Sequence, residues 1–254
     1  LFGEGNALAN LANVYEFLGE YDKAIGYYLQ HLQIFRTIGS NSGEARALES
    51  LGLAYYSQGE YDRAIEYHQQ YLQIARKMGA NSIESNALCC LGDVYRSLEE
   101  YDKAIDYYQN SLQIAIAIGD RSAKSHALES LGNTYLSLGE CDKAIDYYQN
   151  SLEITREIGN RYQEGFILVK CGKTFPKLEK YTESLEYLKS ALEIFQQIGR
   201  RHNEAIVLQN IAETHQHLGN LDAARQYCDE ALAIFTELGV PELKECQEFH
   251  DKLG

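Results

Sequence analysis

Gly39, Gly79, Gly119, Gly159, Gly199 and Gly239 fall every 40 residues without a slip. Six tracts keep the same interval: YDKAIGYY, YDRAIEYH, YDKAIDYY, CDKAIDYY, YTESLEYL and LDAARQYC. Ala24, Ala64, Ala104, Ala144 and Ala224 share one phase within them, and Ser184 fills the missing place. A fixed period of this length makes each unit one supersecondary element, too small to bury its own apolar face, which is covered by stacking on its neighbours.

Inside a unit the spacing predicts two helices. In the second unit Ala45, Leu48, Leu51, Gly52 and Tyr55 recur at helical intervals. Ser42 is the expected N-cap, and Gly59-Glu60 breaks the pattern. Tyr61, Ala64, Ile65, His68, Tyr71, Leu72 and Ala75 form a second stripe that ends before Gly79. Glycine there suits the positive φ common just past a helix C-terminus. Two helices of about 17 residues with short turns fill the period. The expected fold class is all-α, an α-solenoid of six helix-turn-helix hairpins. Their expected limits are 5–41, 42–81, 82–121, 122–161, 162–201 and 202–240, in one array over 1–254. The tail 241–254, with Leu243, Cys246, Phe249 and Leu253, reads as a capping helix for the last apolar face.

With 45% hydrophobic and 24% charged residues the chain has a globular composition. Its net charge of −14 makes nucleic acid and anionic membranes poor partners. No apolar run approaches the roughly 20 residues that span a bilayer, and no signal-peptide core is seen. The chain starts at Leu1 and its only Met is Met78, so it reads as a piece of a longer polypeptide. Cys89, Cys90, Cys141, Cys171, Cys228 and Cys246 show neither C-x2-C nor zinc-finger spacing. They read as small hydrophobes in packing positions, which fits a reducing, cytoplasmic setting.

The pattern Leu51-Gly52, Tyr55, Gly59, Tyr61, Ala64 and Leu72 resembles the tetratricopeptide repeat, and it recurs six times over about 5–245. The 40-residue period is similar to the lengthened repeats of spindle-orientation adaptors and kinesin light chains. Similar arrays occur in bacterial signalling ATPases and in proteins joined to caspase-like protease domains. The resemblance implies a right-handed superhelix that acts in protein–protein interaction. It makes the small positions and most tyrosines scaffold, and it implies a concave groove, lined by the first helix of each hairpin, for an extended peptide or a partner helix.

Catalytic constellations are not found. P-loop, dinucleotide, nucleophile-elbow and H-E-x-x-H patterns are absent from the sequence. His215 and His217 lie two apart on a helix and so face different ways, while His31 and His68 read as packing residues. The expectation is a non-enzyme with no cofactor and no metal.

Under the resemblance, four positions per repeat line the groove at i, i+3, i+7 and i+10, one helical face. The candidates singled out there are Asn13, Arg46, Glu49, Tyr56, Asp93, Arg96, Glu129, Asn133, Leu136, Phe166, Val169, Lys173 and Ile206. Acidic and polar groups dominate the first four repeats, with intrahelical pairing of Arg46 with Glu49 and of Asp93 with Arg96 as one way to absorb their charge. The family uses Asn at the places of Asn13 and Asn133 to hold a peptide main chain. Phe166, Val169 and Ile206, near Leu136, form either an apolar ligand patch beside Lys173 or packing within the hairpins. The family's carboxylate clamp for chaperone tails lacks its first Lys here: that place holds Ala9, Glu49, Cys89, Glu129, Val169 and Gln209.

Pro176 should kink or end the first helix of the fifth repeat, which also carries Cys171, Phe175 and Ser184 in place of the usual Leu, Tyr and Ala. That repeat is either a joint in the array or simple drift. The expected partner is an unidentified protein or peptide. A second reading makes the chain the sensor arm of a larger signalling ATPase or protease, its groove held by the parent chain. Self-association through exposed end faces is a third.

Overall fold

The structure, a computed structural model, describes residues 1–253; Gly254, the last residue of the expected cap, lies outside the described residues. It is all-helical, with thirteen α-helices among the described residues packed in sequential pairs. They are α1 (Phe2–Phe17), α2 (Tyr21–Ile38), α3 (Asn41–Gln58), α4 (Tyr61–Met78), α5 (Asn81–Ser97), α6 (Tyr101–Ile118) and α7 (Arg121–Ser137). After these come α8 (Cys141–Ile158), α9 (Arg161–Thr174), α10 (Tyr181–Gln197), α11 (Arg201–His217), α12 (Leu221–Leu238) and α13 (Glu242–Lys252).

Short links, most of them two or three residues long, join the helices. Gly39 takes φ +72°, its N–H bonds the carbonyl of Arg36 at 3.1 Å, and the N–H of Ser40 reaches that of Phe35 at 3.0 Å. The left-handed residue reverses the chain within one step, so the next helix starts at once. For that reason Ser40, not Ser42, caps α3: its side chain accepts from the N–H of Gly43 at 3.3 Å. Glu99 and Glu179 hold the same left-handed conformation without being glycine, at φ +61° and +59°.

The chain forms two compact units, residues 1–134 and 135 onward. In the first, Ala24, Ala64 and Ala104 are fully buried. A Cβ added to Gly52 would lie 2.3 Å from the His68 ring, and one on Gly92 would lie 2.5 Å from Tyr108. The small residue on the first helix is therefore dictated by the ring on the second. Tyr15–Tyr27, Tyr55–Tyr67 and Tyr95–Tyr107 stack at 5.3–5.5 Å between ring centres. Lys23, Arg63 and Lys103 each cover one of these stacks at 5.0–5.3 Å, which adds a cation–π contact to each of these three hairpins. Leu11 and Val14 of α1 are 39% and 54% exposed, although their counterparts Leu51, Leu91, Ala54 and Val94 are fully covered by the preceding hairpin.

The second unit continues the scheme with Tyr135–Tyr147 under Lys143. Its core holds Tyr148, Cys171, Leu188, Phe195 and Phe235 at 0–1% exposure. Each such aliphatic or phenylalanine side chain contributes about 2–3 kcal/mol by leaving water. The capping helix α13 buries Cys246 and, just beyond it, Leu253 against Cys228 and Phe235. All six cysteines are buried, and Cys228 and Cys246 meet at 3.7 Å between sulfurs.

Pro176 acts as expected. The α-helix α9 stops at Thr174 and runs on as a short 3-10 segment, Phe175–Leu178. Proline has no N–H to give to the carbonyl four residues back, that of Gly172. The Ser184 hydroxyl donates to that carbonyl instead, at 2.7 Å. The two departures of this repeat, Pro176 and Ser184, thus compensate each other.

Candidate ligand-binding face

In the first unit the candidate residues lie on α1, α3, α5 and α7, and most are tied to the scaffold beneath them. Tyr28, fully buried below α1, donates its hydroxyl to Asn13 Oδ1 and to Glu16 Oε2, the latter at 2.7 Å. Tyr108 does the same for Asp93 Oδ1 at 2.7 Å. Burial and the nearby carboxylate push both phenols up, so they stay neutral donors. The Asn13 carbonyl is therefore already engaged inside its own hairpin.

The structure separates Arg46 from Glu49. Glu49 is half-buried and accepts from Asn86 Nδ2 on the next repeat at 2.6 Å. Burial raises its carboxyl, opposed by hydrogen bonds from Asn86 and Tyr71. Arg46 instead lines a cavity of about 370 Å³ with Asn6, Asn10, Asn13, His31 and Ser50. His31, buried there, donates its Nδ1–H to the Gly5 carbonyl at 2.7 Å. Asp93 and Arg96 do approach, at 3.7 Å. Tyr56 reaches across to Ser97 Oγ at 2.8 Å. Glu129 and Asn133 sit partly buried on α7.

A larger cavity of about 510 Å³ opens on the same face between α3, α5 and α7. Glu49, Asn86, Cys89, Asp120, Ser122 and His126 are among its walls. Tyr71 and Asp120 escape a search of first-helix positions, because one lies on a second helix and the other in a link. Asp120 caps α7 by accepting from the Ala123 N–H at 2.9 Å, so its capping signature is the signal that could have found it.

In the second unit Leu136, Phe166 and Val169 are half-buried and pack against the core around Phe195. Phe166 stands edge-on to Tyr162 at 4.8 Å and to Phe195 of its own hairpin at 5.5 Å. Ile206 packs likewise against the core of Leu208 and Phe235. Lys173 is exposed and borders a cleft of about 110 Å³ with Pro176, Leu188, Glu213 and His217. His215 stacks on Tyr227 and His217 on Tyr181, so the two rings do face apart. Among the described residues no cluster of His, Cys, Asp and Glu has the geometry to hold a metal ion, and no helix is long and apolar enough to cross a membrane.

A family model described as tetratricopeptide repeat matches residues 4–77, 84–157 and 172–239. No curated protein matches the sequence. Among solved structures, BtubC (BKLC) from P. vanneervenii is similar with a TM-score of 0.80 at 14% identity, over 86% of this chain and 92% of that one. A signal transduction ATPase with numerous domains (STAND) from Pyrococcus horikoshii, with a tetratricopeptide repeat sensor, gives 0.77 at 19% identity, over 98% of this chain and 38% of that one. A Rap protein complexed with Competence and Sporulation Factor gives 0.72 at 15% identity, over 98% and 74%. At these identities the likeness is one of fold.

Proposed function

Because the chain belongs to the tetratricopeptide repeat family, whose domains generally mediate protein–protein contact, we propose that it is an interaction module without catalysis of its own. Its ligand is an extended peptide or a partner helix lying along the face of the first helices. One observation carries this reading: two cavities of the first unit, of about 510 and 370 Å³, open on that face, among the residues that change from repeat to repeat. Scaffold positions such as Ala24, Ala64 and Ala104 do not change. The ligand's basic or polar part faces Glu49, Asp93 and Glu129, and an apolar side chain anchors near Phe166, Val169 and Lys173. The six buried thiols suit a reducing, cytoplasmic setting.

A peptide-display selection on the chain tests this, run beside Glu49→Lys and Phe166→Glu. An enriched motif that is lost in either variant supports the reading. A motif retained in both overturns it.

The second reading, a sensor arm folded against its parent chain, is favoured by one likeness. The Pyrococcus horikoshii protein carries a tetratricopeptide repeat sensor, and this chain spans 38% of that protein's length. Co-expression with flanking sequence separates the two, since an internal ligand competes with any peptide selected on the isolated chain.

A further inference from the structure

Ser85 and Cys89 form part of the wall of the 510 Å³ cavity. Beneath them, where α2 and α4 carry a buried ring, His31 or Tyr71, α6 carries Ser111, as α8 carries Ser151. Ser111 is fully buried and satisfied. It bonds Ser85 Oγ at 2.8 Å, the Ser85 carbonyl at 2.9 Å and Cys89 Sγ at 3.1 Å. Ser85 and Cys89, held on Ser111, line the open space of the cavity.

The charge in this cavity is one-sided. Glu49 and Asp120 line it together with His126, and no Lys or Arg does. Other carboxylates that link neighbouring helices have an arginine: Glu44 has Arg36 at 2.7 Å, Glu84 has Arg76 at 2.8 Å and Glu164 has Arg156 at 2.9 Å. Among the described residues neither Glu49 nor Asp120 has such a partner, and Arg46 is turned to the neighbouring cavity. A half-buried carboxylate without a counter-ion has lost part of its hydration and gained no charge in return. Asn86 spends its N–H groups on Glu49 at 2.6 Å and on Tyr71 Oη at 3.2 Å. Its amide oxygen is left as a further acceptor.

We propose that this cavity receives one cationic side chain, lysine or arginine, of the bound ligand, with Glu49 as its principal counter-charge and Asp120 as the second. The inference rests on the ligand-face reading above and names what that face selects. The volume suits an extended guanidinium chain, and the lining of two carboxylates, an amide and serine hydroxyls matches its fork of donors.

The test uses the whole chain and two small probes, N-acetyl-arginine methylamide and its neutral isostere N-acetyl-citrulline methylamide. Each is titrated into isotope-labelled protein and followed by NMR. Saturable shifts at Asn86 and His126 are expected with the arginine probe and not with citrulline. Glu49→Gln, which keeps shape and fold by circular dichroism, should weaken the arginine probe at least tenfold. Equal binding of citrulline, unchanged affinity in Glu49→Gln, or no saturable shift overturns the proposal. A display motif lacking Lys and Arg would overturn it while leaving the ligand-face reading standing. Arginine binding with no enriched peptide would do the reverse.

Discussion

The Ser184 hydroxyl donates at 2.7 Å to the carbonyl of Gly172, the acceptor left over by the proline four residues further on. A buried acceptor without a donor costs about 1–3 kcal/mol. Ser184→Ala should therefore destabilise the protein by about 1–2 kcal/mol. In a Pro176→Ala background the restored N–H supplies the donor, and the same substitution should cost much less. A double-mutant cycle by denaturant unfolding reads this coupling. Additive costs would mean that the hydroxyl does not serve Pro176.

Glu99 pays a steric penalty that its counterparts avoid. At φ +61° it occupies the link position that Gly19, Gly59, Gly139 and Gly219 fill at +74 to +81°. The left-handed conformation costs a side-chain-bearing residue about 1–2 kcal/mol, offset in part by the greater freedom glycine loses on folding. Glu99→Gly should accordingly stabilise by about 0.5–1 kcal/mol, measured by thermal or denaturant unfolding.

Acid should destabilise the first unit through its histidines. Burial pushes His68 down from 6.5 to about 4, and His31 is lowered in the same direction, chiefly by burial. The unfolded chain then takes up protons before the folded one does. Stability from this source is complete above pH 6.5 and is lost as pH falls from there towards about 4. The loss from His68 is on the order of 3 kcal/mol. His68→Leu, which copies the Leu188 found under Gly172, should flatten the unfolding free energy over that range. An unchanged slope would show that His68 is protonated within the fold.

Ionic strength should separate charge from shape on the ligand face. A display-selected peptide is expected to lose affinity for Glu49→Lys and Glu129→Lys more at 0.05 M than at 0.5 M salt, because screening shortens from roughly 14 Å to 4 Å over that range. Equal losses, measured by calorimetry, would remove the electrostatic part of the account.

Helix pairing was legible because Gly39 and its five counterparts mark the ends of the second helices, and the Tyr and Ala spacing marks the rest. The break at Pro176 was legible too, since a missing N–H acts locally. Side-chain commitments were not. The repeat pattern singles out Asn13, but its carbonyl is taken by Tyr28 from the paired helix. Phe166 lies on the candidate face but leans on Phe195. The cavity beside Glu49 takes walls from Tyr71 on a second helix and Asp120 in a link, so it appears only once these elements are packed.

The most direct measurement maps a display-selected peptide onto the labelled chain by NMR. Shifts are predicted at Asn13, Glu49, Asp93 and Glu129 on the first helices, with the exposed Gln33, Gln73 and Gln113 of the second helices unmoved. Shifts centred on Gln33, Gln73 and Gln113, with Glu49 and Asp93 silent, would place the ligand on the opposite side and contradict the account.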